Sequence, residues 1–198
     1  VTRRKDTPMA STNILTLVGC LRAASINRQL AELATESAPD GVTVTLYEGL
    51  DQLPFYNEDI DTATPPPAVA ALRAAAARAD AALFVTPEYN GTIPAVLKNA
   101  IDWLSRPWGA SDLKDKPVVV MGSAAGRFGG TWAHDETRKS LGIFGPRVVE
   151  SIKLSVPAGT FDGKHPREHA DTVAAVREAV GQLAAEVRHP SQLYQAFL

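Results

Sequence analysis

Short apolar runs alternate along this chain with stretches whose apolar positions recur every three or four residues. Residues 13–19 (Asn-Ile-Leu-Thr-Leu-Val-Gly), 81–85 (Ala-Ala-Leu-Phe-Val) and 118–122 (Val-Val-Val-Met-Gly) are near-continuous apolar runs, the pattern of strands covered on both faces. Residues 42–47 (Val-Thr-Val-Thr-Leu-Tyr) alternate and are β-branched, which predicts a strand nearer an edge. Residues 147–149 and 152–156 supply the last extended pieces. Between these runs the period is helical. Ser25 is placed to cap a helix with Ile26, Leu30, Leu33, Ala34 and Ser37 on one face, stopped by Pro39-Asp40-Gly41. The alanine-rich stretch 68–79 carries Val69, Leu72 and Ala76 on one side. A helix from Ala95 aligns Leu97, Ala100, Ile101 and Leu104, with Trp103 off that face. A fourth helix, 132–141, is closed by Gly142 and Gly145-Pro146, and a last one shows Val173, Val176, Val180, Leu183 and Val187.

The order is βαβαβαβαβα, and right-handed crossovers turn it into a parallel sheet with helices on both faces. One acidic, proline-rich segment, residues 48–67, has no clear period; it is a long loop of the kind that covers a site or meets a partner, and Pro54-Phe55-Tyr56-Asn57 puts aromatic surface on it. At 198 residues the chain is most simply one domain, here expected over residues 13–198, preceded by a disordered polar tail at 1–12 in which Met9 is the expected natural start. A formal net charge of −2 leaves no footprint for nucleic acid or an anionic membrane. No apolar stretch approaches the roughly 20 residues of a membrane span. The single cysteine, Cys20, cannot form an internal disulfide or a cysteine metal cage, which fits a cytoplasmic setting. Function must come from a site.

Three loops that follow strands carry the candidate chemistry, because open α/β sheets bind ligands outside the carboxyl ends of their strands. The first, Gly19-Cys20-Leu21-Arg22-Ala23-Ala24-Ser25-Ile26-Asn27, is neither a dinucleotide fingerprint nor a P-loop, since the further glycines and the Gly-Lys-Ser/Thr end are missing. It offers a helix N-terminus with the Ser25 hydroxyl, the Asn27 amide and the Arg22 guanidinium, a nest suited to a terminal phosphate. The alternative is structural: Ser25 as a plain cap, Asn27 on the surface, Arg22 solvated. The second loop, Pro87-Glu88-Tyr89-Asn90-Gly91-Thr92-Ile93-Pro94, joins stiff prolines to a glycine and the flat face of Tyr89, which suits a planar ring. The third, residues 123–130 with Ser123, Gly126 and Arg127, is rich in backbone donors. Phosphate, flat ring and backbone donors together describe a mononucleotide with a planar head, and flavin mononucleotide (FMN) has that shape. The pattern selects the strand order 2-1-3-4-5 of a flavodoxin-like fold, for which FMN at the switch point in flavodoxin is the standing example.

At these residues the chain resembles the NAD(P)H-dependent FMN reductases of flavodoxin-like fold, which include bacterial chromate and quinone reductases and are related to azoreductases. The resemblance covers residues 14–156 and is most specific in Pro87-Glu88-Tyr89-Asn90, Ile93-Pro94 and Leu97-Lys98-Asn99-Ala100-Ile101-Asp102-Trp103. The first loop is similar to the family pattern Gly-Ser-Leu-Arg-x-x-Ser-x-Asn, with Cys20 where serine is usual. That change removes a hydroxyl, and it either leaves a small buried cysteine or places an oxidation-sensitive thiol beside the flavin. The resemblance implies that Arg22, Ser25 and Asn27 hold the phosphate. It further implies that Pro87, Glu88, Tyr89, Asn90 and Gly91 meet the ring and ribityl parts, and that Ser123, Gly126 and Arg127 close over the ring edge. No catalytic side chain is implied, because the flavin carries the chemistry: hydride from NADPH or NADH, then electrons to a flavin, quinone, chromate or azo acceptor. A homodimer or homotetramer is implied, with FMN near an interface formed by the helix after Pro94 and the 54–56 loop. The rival reading is a flavodoxin-like electron carrier or FMN-binding module without turnover. His165 and His169 lie four apart but lack the third ligand of a metal site.

Overall fold

The computed structural model describes residues 11–188, so the tail expected at 1–12 falls outside the described residues except at its last two positions, as does everything after Arg188. Thr12 already belongs to the sheet. Five parallel strands, β1 (Thr12–Val18), β2 (Val42–Leu46), β3 (Ala81–Val85), β4 (Pro117–Ala124) and β5 (Arg147–Pro157), lie in the order β2-β1-β3-β4-β5. The chain reverses direction across the sheet between β1 and β3, so the loops leaving those strands diverge and open a crevice.

Five helices cover the sheet: α1 (Ile26–Glu36), α2 (Pro67–Arg78), α3 (Ala95–Leu104), α4 (Thr131–Phe144) and α5 (Ala170–Arg188). One core layer joins Leu30, Leu33, Val176 and Leu183 of α1 and α5 to Ile14, Leu83 and Met121. The opposite layer joins Leu72, Leu97, Ile101 and Leu141 of α2, α3 and α4 to Leu15, Leu17, Phe84 and Val120. Successive strand residues face opposite layers, so a strand buried on both sides has no polar phase, and that is why β3 and β4 read as unbroken apolar runs.

Two expectations need correction. The two extended pieces near the end are one strand, β5, interrupted by a register shift: Val118 pairs with Val148 but Val120 with Lys153. Beside that irregularity the buried guanidinium of Arg138 donates to the Val120 carbonyl at 2.9 Å. Trp103 is not off the buried face of α3 but fully enclosed, its indole N–H donating to the Pro54 carbonyl at 2.8 Å. The 48–67 segment is the reason. It contains two short 3-10 turns, Leu50–Gln52 and Glu58–Ile60, and is pinned onto α3 by Asn99, whose amide donates to the Pro54 carbonyl and whose oxygen accepts from Tyr56 N–H. The Tyr56 ring meets Trp103 edge-on at 4.9 Å, while Phe55, between Pro54 and Tyr56 in the sequence, stays 82% exposed.

Candidate functional site

The site is the crevice at the carboxyl ends of β1, β3 and β4. On its first wall, α1 begins where Ser25, itself buried, accepts the Arg28 N–H at 3.0 Å. A serine oxygen that accepts from the helix keeps its hydroxyl hydrogen for another group. Arg22 is exposed on the same loop. Asn27 is neither solvated nor on the surface: it is buried, its amide donates to the Ser123 carbonyl and its oxygen accepts the Ser123 N–H, both at 2.8 Å. One amide hydrogen is what this side chain retains for a ligand.

The second wall is the 87–92 loop. Asn90 and Gly91 both take positive φ, 52° and 76°, and Tyr89 and Thr92 exchange two backbone hydrogen bonds at 3.1 Å. This is a type I′ turn, for which Asn-Gly is the favoured pair because neither suffers much from the left-handed conformation. The turn lifts the Tyr89 ring into solvent, with its hydroxyl 3.4 Å from the Cys20 sulfur. A side chain at Gly91 would come against the Trp132 ring, at 3.6 Å. Glu88 points elsewhere. Its carboxylate accepts the Trp132 and Ala133 N–H groups at 3.1 and 3.2 Å, capping α4, whose own N-cap residue Gly130 has no side chain to do so.

The third wall runs from Ser123 to Gly130. Gly126 is open, Arg127 is exposed with its guanidinium 4.5 Å from the centre of the Phe128 ring, and Phe128 lies 6.0 Å from Trp132. Tyr89, Phe128 and Trp132 thus form an exposed aromatic rim around the mouth. Ser123 is buried, and its hydroxyl has no protein partner. A buried hydroxyl without a partner is costly unless a ligand or water completes it.

Underneath the three walls lies a polar cluster that pattern reading did not single out. His134, fully buried on the first turn of α4, has Nε2 2.9 Å from the Thr86 carbonyl and Nδ1 2.6 Å from the Ser155 hydroxyl. Burial pushes its pKa below the usual value, helped by the Arg138 cation, against the opposing pull of the Thr86 carbonyl, Glu88 and Asp135. A Cβ at Gly122 would stand 2.1 Å from the Thr86 oxygen, 2.7 Å from Asn27 Oδ1 and 2.9 Å from His134 Nε2, so this position has room only for glycine. Cys20 is shifted as well. Burial raises its thiol pKa, but hydrogen bonds from the Tyr89 hydroxyl, the Arg22 backbone, Ser25 and the Arg22 side chain outweigh that and leave it below the ordinary thiol value. An apolar cleft of about 470 Å³ adjoins Cys20, between Leu21, Arg22, Leu53, Phe55, Tyr89 and Val96.

All the residues expected from sequence therefore gather at one sheet edge, Asn27 and Glu88 as struts between walls and the others around the opening. Among the described residues no His, Cys, Asp or Glu group has the spacing to hold a metal ion. A parallel 2-1-3-4-5 sheet whose loops after β1, β3 and β4 border one crevice defines a flavodoxin-like α/β protein. The family model for NADPH-dependent FMN reductase matches residues 12–161, and the chain belongs to that family. The quinone reductase of Pseudomonas putida is 43% identical over 129 residues, covering 65% of this chain and 69% of its own. The quinone reductase of Escherichia coli K12 is 37% identical over 175 residues, 87% and 92% of the two chains. Among solved structures, the flavoenzyme NAD(P)H:(acceptor) oxidoreductase FerB of Paracoccus denitrificans superposes with a TM-score of 0.78 at 28% identity, covering 89% of this chain and 97% of its own. The chain is accordingly an oxidoreductase of a family that uses NAD(P)H and FMN, and a carrier without turnover is not favoured.

Proposed function

We propose that this enzyme passes electrons from NADPH through FMN seated in the crevice to a small quinone-like acceptor. The observation that carries this reading is the convergence of a capped helix N-terminus, an exposed aromatic rim and a buried partnerless hydroxyl on one switch-point crevice. The residues fit the cofactor. The α1 N-terminus with the Ser25 hydroxyl and the Arg22 guanidinium suits its phosphate, with Asn27 supplying one amide hydrogen. Pro87, Tyr89, Asn90 and Gly91 form a stiff wall for its ring, and Ser123, Gly126 and Arg127 border the ring edge. Bound FMN supplies two-electron chemistry that no side chain here provides. The protein's work is placement: the I′ turn exposes backbone against the ring, and the open mouth between Tyr89, Phe128 and Trp132 lets two flat substrates occupy one place in turn.

No helix among the described residues is long and apolar enough to cross a membrane, and the reading places the enzyme in the cytoplasm. The described residues from Thr12 to Arg188 are taken as one FMN-binding domain, one position longer at its start than expected from sequence. Exposed Phe55 and Leu21 beside the apolar cleft support a homodimer or homotetramer in which α3 and the 54–56 segment meet a second copy near the flavin; sedimentation would show a monomer if this is wrong. The decisive experiment is an anaerobic titration of the FMN-loaded protein with NADPH and then NADH, following flavin absorbance. Bleaching at near-stoichiometric NADPH supports the reading. Binding of FMN without reduction by either nucleotide overturns it.

A further inference from the structure

The buried imidazole of His134 lies beneath the crevice and joins three elements around it. Thr86 is the last residue before the 87–92 loop, Ser155 lies on β5, and His134 itself starts α4 directly after the glycine loop. A carbonyl oxygen can only accept, so Nε2 carries the hydrogen, and Nδ1 is left as acceptor for the Ser155 hydroxyl. One tautomer satisfies both partners. The glycines on either side are fitted to the ring: a Cβ at Gly122 would lie 2.9 Å from Nε2 and one at Gly130 3.2 Å from it. We infer that His134 is a positioning residue, whose Nε2–H tautomer fixes the foot of the ring-binding loop at Thr86 against β5 and the start of α4, and so sets the width of the flavin slot. This rests on the reading that the crevice holds FMN. Asn27 completes the same joint from the other side by gripping Ser123.

The geometry says which substitutions should matter. In His134→Leu the Thr86 carbonyl loses the side-chain donor it has among the described residues, in a buried setting, a loss large enough to release the loop foot. In His134→Gln an amide N–H and an amide oxygen are again available for Thr86 and Ser155, so the joint is rebuilt with a different group. The test uses the full chain. FMN affinity is measured by quenching of flavin fluorescence, and backbone amide NMR spectra are recorded without flavin. His134→Leu is expected to bind FMN about tenfold more weakly and to shift the amides of residues 88–92 and 123–130, whereas His134→Gln recovers affinity to within about threefold and restores those shifts. A loss of packing alone would not be rescued by a polar residue. Wild-type long-range proton–nitrogen spectra should show one histidine with a slowly exchanging Nε2 proton and an unprotonated Nδ1, a measurement that needs no variant to fold. An Nδ1–H tautomer, wild-type affinity in folded His134→Leu, or no recovery in folded His134→Gln would each overturn the inference. If wild-type protein binds no FMN, the functional reading fails, and the tautomer and loop amides still decide the role of His134.

Discussion

Glu88 allows the sharpest test of how the crevice is held together. Its carboxylate belongs to the 87–92 loop, but one of its oxygens, Oε2, accepts both the Trp132 and the Ala133 N–H in the first turn of α4. Replacement by alanine removes an N-cap and a charge at a helix N-terminus that has no cap of its own. The cap is worth about 1 kcal/mol. The charge against the helix dipole adds about 0.5 kcal/mol in a half-buried setting. For a domain of this size about 1.5 kcal/mol lowers the melting temperature by roughly 3–6 °C. Glu88→Gln keeps an acceptor oxygen and loses only the charge, so its melting temperature should fall by about 1–2 °C. Salt separates the two contributions, because about 0.5 M NaCl screens the charge and should narrow the gap between wild type and Glu88→Gln while leaving Glu88→Ala low. Thermal unfolding followed by circular dichroism, without flavin, reads all three. If Glu88→Ala melts within about 1 °C of wild type, the carboxylate is not capping α4 and the joint between the two walls has been misread.

Asn27→Leu should destabilise the protein by about 3 kcal/mol in urea unfolding, since it strands a buried N–H and C=O of Ser123 at once. The Cys20 thiol, held below its ordinary pKa by surrounding donors, should be alkylated by iodoacetamide with a midpoint below that of a free cysteine measured alongside it, and Tyr89→Phe should move that midpoint upward by removing one donor. Saturating FMN should slow the reaction in either form. His134 has a folded pKa below its unfolded value, so the unfolded chain binds the extra proton. Stability should therefore fall as pH drops through about 6.5, level off below the folded pKa, and lose this slope in His134→Gln. Burial sets the effect, aided by Arg138, while the Thr86 carbonyl, Glu88 and Asp135 favour protonation.

The fold was legible because a doubly wound sheet writes itself in alternating periods, and even the strand order followed from the loops. What escaped was non-local. Nothing in the helical phase of Trp103 shows that Pro54 will come down over it from 49 positions away. His134 sits in an otherwise polar-looking helix start, and its partners Thr86 and Ser155 are 48 and 21 residues distant, so no spacing rule connects them. The same holds for Glu88, whose partners are backbone N–H groups that carry no side-chain signature. Asn90-Gly91 is the opposite case: the I′ turn is written in the dipeptide itself, since both residues tolerate positive φ.

The division between a buried polar joint and an exposed aromatic rim has an evolutionary corollary. Asn27, Thr86, Gly122 and His134 answer to one another, so a change at any one is felt by the others and is opposed by the loss of folding free energy. Phe128 and Trp132 are more than half exposed at the rim, where substitutions typically alter stability by less than about 0.5 kcal/mol. A lineage can therefore explore new electron acceptors by drifting at the rim without leaving the foldable region of sequence space, while descendants with unlike substrates keep the same joint beneath.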